Sequence, residues 1–124
     1  MKTILRRGLL ALAIMALTVP ADAGPFEDGL AAAKRSDYAT ALLLWRPLAE
    51  QGNATAQYNL GLMQAYREGV PHDTVSAHMW FNLAAAHGHE NGQAIRGMVE
   101  ELMSPDQIAD AQRMAFEWMA KHQR

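Results

Sequence analysis

From residue 26 onward the apolar positions fall three and four apart, the spacing that gathers side chains on one face of an α-helix. The pattern is plainest at Ile108, Ala111, Ala115, Trp118 and Met119, which form one stripe among polar neighbours. Asp37, Asn53 and Asp73 stand directly before such runs, where a side-chain oxygen can accept from N–H groups with no helical partner. Ser104-Pro105-Asp106-Gln107 is the fullest of these signals: Ser104 caps, Pro105 takes the first helical position, and Gln107 reaches back to complete a capping box. Gly52, Gly69 and Gly88 sit where the runs stop, and glycine tolerates the left-handed conformation that ends a helix. Together these signals predict helices over roughly 26–34, 38–51, 54–68, 74–87, 91–103 and 105–122. Pro47 conflicts with the second of them. It removes the hydrogen bond to the Leu43 carbonyl, and a kink is expected there.

The pattern also repeats. Shifted by 36 residues, Asp37 falls on Asp73, Ala41 on Ala77, Gly52 on Gly88, Gln57 on Gln93 and Gly61 on Gly97. Leu44-Trp45 falls on Trp80-Phe81, and Ala49 on Ala85. Each copy is an aromatic helix, a glycine turn and a second helix, the length of one helix–turn–helix unit in a stacked array.

Before the repeat, Lys2, Arg6 and Arg7 form a basic head and Gly8 to Val19 runs without a charge. Pro20 breaks that run, and Ala21-Asp22-Ala23 places small residues where a signal peptidase reads them. That order predicts a cleavable secretory segment over 1–23, with cleavage between Ala23 and Gly24. The apolar run of about 12 residues is short for a hydrocarbon core of roughly 30 Å, which argues against the other reading, a retained membrane anchor. Export to the periplasm or beyond is therefore expected. No stable membrane insertion is expected once the segment is removed.

Composition sharpens the fold class. Half of the residues are hydrophobic, yet only 7% are aromatic, and alanine, leucine and methionine supply most of the apolar content. Those are strong helix formers, so the chain reads as all-α. No cysteine is present, which excludes disulfides, a thiol nucleophile and thiolate metal sites. Removing residues 1–23 takes eleven basic and thirteen acidic side chains to eight and twelve, and the formal charge from −2 to −4. With no basic run to face a phosphate backbone, nucleic acid is not an expected partner.

The stretch Gln51-Gly52-Asn53-Ala54-x-Ala56-Gln57-x-x-Leu60-Gly61 resembles the Sel1-like repeat, a relative of the tetratricopeptide repeat. Gly69-Val70-Pro71-x-Asp73 is similar to that family's inter-helix loop, and Ala77-x-x-Trp80-Phe81-x-x-Ala84-Ala85-x-x-Gly88 to its second helix. Met103 to Gln112 is similar to the ending that follows the last repeat in bacterial members. Arg67 and Gln64 depart from the pattern, standing where the family commonly has a glycine and an aromatic residue. The resemblance covers roughly 37–122, with one complete repeat at about 52–87 and partial or capping units on either side. It implies a short right-handed α/α solenoid of antiparallel helix pairs, closed by a C-terminal capping helix. It further implies an adaptor, whose groove holds a peptide or partner protein of the cell envelope.

Under the resemblance, Thr55, Tyr58, Asn59, Leu62 and Tyr66 occupy groove-lining positions. Thr55, Tyr58, Leu62 and Tyr66 share one helix face by their spacing, and Asn59 beside them could bond a peptide backbone. The other reading of the two tyrosines is packing between repeats. Trp45, Trp80, Phe81 and Trp118 lie on apolar stripes and are expected in the core, as are most of the methionines. His87-x-His89-Glu90 and His72-Asp73 are the only hints of chemistry, and neither spacing matches a metal-ligand motif. Glu100-Glu101 reads as a charge pair on a solvated helix face. No Ser–His–Asp order, catalytic carboxylate pair or phosphate-cradling glycine loop stands out, so no catalysis, metal or cofactor is expected. Two other classes remain open: a self-assembling structural repeat protein, and a regulatory fragment of an envelope enzyme.

Overall fold

The computed structural model describes residues 24–67 and 71–122. The secretory segment with Ala23, and the Gly69-Val70 part of the loop, lie outside the described residues. Six helices make up the fold: α1 (Pro25–Lys34), α2 (Tyr38–Glu50), α3 (Ala54–Tyr66), α4 (Thr74–Ala86), α5 (Gly92–Glu100) and α6 (Pro105–His122). No strand occurs among the described residues.

Local chemistry sets most of the boundaries. Asp37 accepts from the Thr40 backbone N–H at 3.3 Å, Asn53 from Ala56 at 2.9 Å and Asp73 from Ser76 at 2.9 Å. The capping box forms in both directions. Gln107 N–H donates to Ser104 Oγ at 3.1 Å, and Ser104 N–H donates to Gln107 Oε1 at 2.9 Å. Gly52 (φ 92°) and Gly88 (φ 95°) close α2 and α4 in the left-handed region. At each, the next residue's N–H folds back, Asn53 to the Leu48 carbonyl and His89 to that of Ala84, forming a Schellman cap.

Two boundaries differ from expectation. α3 ends at Tyr66 because Arg67 is already extended, and α5 ends at Glu100, after which residues 101–103 form a tight turn. α2 passes through Pro47 unbroken. The bond lost there belongs to the Leu43 carbonyl, and both Leu43 and Pro47 lie on the exposed face, where water can take that carbonyl.

Each of the first four helices packs on the next, so α1–α2 and α3–α4 form stacked antiparallel pairs. The last helix breaks the sequence: α6 packs on α4 rather than on α5. α4 is consequently the centre of the fold, and His78, Met79, Trp80 and Phe81 are all buried in succession. Trp80 and Phe81 point about 100° apart on the helix and feed two cores. The larger unites Trp45, Leu60, Met63, Trp80 and Leu83 with the Ala115 face of α6, and the smaller joins Phe81 to Val99, Ala65 and Ala77. Gly61 is what lets α3 and α4 close: a Cβ there would meet the Phe81 ring at 2.5 Å.

Candidate interaction site

α3 presents two different surfaces. On one, Tyr58 stacks on His89 with ring centroids 4.1 Å apart and tilts against Phe81 at 5.8 Å. Tyr58 thus packs between α3 and the turn that follows α4. On the other, Asn59 and Leu62 look toward α1 across a cleft of about 260 Å³. Leu30 and Lys34 of α1, Tyr38 of α2 and Arg67 also line it. The Arg67 guanidinium lies over the Tyr38 ring, 5.8 Å from the centroid, an arrangement that offers cation and ring face together. Tyr66, a turn beyond Leu62, is 42% exposed, and Thr55 is exposed on the first turn of α3. Of the five residues expected to line a groove, the structure brings Asn59 and Leu62 together in this cleft and turns Tyr58 away from it.

Leu30, Lys34, Tyr38 and Arg67 are among the cleft residues that the sequence reading does not assign to a groove. Only Arg67 carries a signal in the sequence, as a departure from the expected glycine. Gln64, the other departure, is buried, and its Oε1 has no hydrogen-bond partner among the described residues.

The polar groups around the turns prove to be braces. Gln57 is fully buried; its amide donates to the Ala49 carbonyl at 3.0 Å, and its Oε1 meets His87 Nδ1 at 2.9 Å. One side chain therefore fastens the end of α2 to the end of α4. His87 also stands edge-on to Trp118, which stacks on His122 at 3.8 Å and donates from Nε1 to Glu50 at 3.2 Å. His87 and His89 thus turn to different partners. Among the described residues, no group of three His, Asp or Glu side chains converges as metal ligands would. Glu100 is not merely solvated, as expected: it meets Nε2 of fully buried His78 at 2.8 Å, tying α5 to α4. His78 Nδ1 is left without a partner among the described residues.

The Sel1 repeat family model matches residues 24–53 and 54–89, more than half of the chain. The chain belongs to the Sel1 repeat family. The two matches coincide with the pairs α1–α2 and α3–α4, so each Sel1 unit here is one antiparallel helix pair in a solenoid of tetratricopeptide type. α5 and α6 follow the second match. Sel1 repeats generally mediate protein–protein interaction, and they are not typically enzymatic. No curated protein and no solved structure matches the chain significantly. Among the described residues, no helix is long and apolar enough to cross a membrane.

Proposed function

We propose that this chain is an exported Sel1 adaptor that binds a peptide or extended segment of a cell-envelope protein in the cleft between α1 and α3. The observation that carries this reading is the cleft's composition. Leu30 and Leu62 offer an apolar wall, the Asn59 amide can pair with a backbone, and Lys34 with Arg67 supplies positive charge. In a chain of net negative charge, that local reversal selects a ligand with an apolar side chain next to an acidic group. Export rests on the basic head, the short apolar run and the small residues before Gly24.

The test is photo-crosslinking in cells, with a photoreactive residue replacing Tyr66 in the C-terminally tagged full-length chain. One dominant envelope protein should be recovered, and Asn59→Arg should remove it. Recovery of no partner, or recovery unaffected by Asn59→Arg, would overturn the assignment of the cleft. A purified chain that begins at Met1 instead of Gly24 would overturn cleavage.

A further inference from the structure

His122, in the last turn of α6, holds both of its ring nitrogens against acceptors. Nδ1 lies 2.8 Å from the Trp118 carbonyl oxygen, and Nε2 lies 3.5 Å from a carboxylate oxygen of Glu50, the last residue of α2. The ring lies flat on the Trp118 indole, with centroids 3.8 Å apart and planes 8° from parallel. The same Glu50 oxygen accepts from Trp118 Nε1 at 3.2 Å, so one carboxylate receives two side chains of α6. A carbonyl and a carboxylate can only accept, and a neutral imidazole carries one N–H. A neutral His122 therefore donates to one of them and points a lone pair at the other. Only the imidazolium satisfies both.

We propose that Glu50, Trp118 and His122 form a proton-operated latch, in which protonation of His122 fastens the last turn of α6 to the end of α2 and loss of that proton releases it. The setting favours the cation in two further ways. Glu50 and His122 each end a helix, and a helix C-terminus disfavours a carboxylate and favours positive charge, so a cation beside Glu50 offsets its unfavourable place. The indole face also attracts a stacked cation. Among the described residues, the other titratable groups lining the cavities beside the ring are His87, Glu117 and Lys121. His87 Nδ1 donates to Gln57 Oε1 at 2.9 Å, and Glu117 is paired with Arg113 at 2.9 Å. Lys121 opposes the imidazolium, but from an exposed position where water screens it. The latch adds to the folded state on the acid side of an imidazole's titration and fades as pH rises past it. Its release frees the turn that covers Trp118, while Ala115 keeps the body of α6 seated on α4.

A double-mutant cycle on the purified chain separates this pair from every other titrating group, because those groups are present in all four variants. Glu50→Gln removes the charge and keeps an oxygen for Trp118 Nε1, and His122→Gln removes the titration. Denaturant titrations at pH 5.5 and pH 8 span the range in which an imidazole changes charge. At pH 5.5 the coupling between the two positions should be about two- to fivefold in the folding constant, as for other partly exposed ion pairs, and at pH 8 it should be lost. Circular dichroism should show the same helix content in all four proteins. His72→Gln, beyond the opposite end of α4, should leave the wild-type pH profile unchanged. A coupling equal at the two pH values would mean a fixed contact and overturn the proposal, as would a coupling that grows with pH or none at pH 5.5.

Discussion

Among the described residues, three turns close in the same way, with the residue after the helix cap in the left-handed region. Gly52 and Gly88 adopt that conformation freely, but at the end of α1 the place falls to Ser36, with φ 61°. Its neighbours make the same bonds, Ser36 N–H to the Ala33 carbonyl and Asp37 N–H to that of Ala32, each at 2.9 Å. A residue with a Cβ is penalised there, so Ser36→Gly should raise stability by about 0.5–1 kcal/mol once glycine's own entropy cost is subtracted. Denaturant titration checks this, and an unchanged midpoint would count against it. Asp37 beside it couples the same turn to pH. Hydrogen bonds from the Thr40 side chain and backbone hold its carboxyl below the ordinary 3.8, with the Arg35 charge acting in the same direction. A lowered folded value means that the cap's contribution is fully present above the unfolded value and fades as pH falls through the folded one. Asp37→Asn keeps a capping oxygen without the titration. The loss of melting temperature between pH 6 and pH 3 should therefore shrink in that variant, as thermal melts across pH would show.

At the scale of elements, two glycines that are equivalent in the repeat have opposite surroundings. Gly61 lies under the Phe81 ring, whereas a Cβ at Gly97 would meet nothing within 4 Å. Gly61→Ala should cost about 1–3 kcal/mol by forcing α3 and α4 apart, while Gly97→Ala should stabilise α5 by up to about 1 kcal/mol through helix propensity. Thermal melts of the two variants should move in opposite directions, and a shared sign would refute the difference in packing. The sequence makes the helices legible because their ends are chemical: Asp37, Asn53, Asp73 and Ser104 all cap where they stand. The Sel1 motif made the paired architecture legible as well. What it could not show is where α6 goes, since its stripe of Ala111, Ala115 and Trp118 would suit a neighbour on either side. The cleft was half legible for a related reason. Asn59 and Leu62 lie on the motif's first helix, whereas Lys34 of α1 and Tyr38 of α2 reach the cleft only through the packing of the first two helices beside α3. Gln57 is visible merely as a repeated letter, and its role as a brace depends on His87, thirty residues away.

For the whole molecule, α6 is the element that makes two repeats sufficient. It covers Leu83 and sets Trp118 against Trp80 with ring centroids 6.5 Å apart. Deleting residues 105–124 should abolish the cooperative melt followed by circular dichroism and open the Trp45–Trp80 core to an apolar dye. A sharp transition in the shortened chain would show that the repeats stand alone. The bond from Trp118 to Glu50 joins the last helix to the end of α2, 68 residues earlier. A chain emerging from a ribosome or a translocation channel therefore cannot close this clasp until its last turns are free. The docking of α6 on α4 is therefore the last packing step that the order of the helices permits.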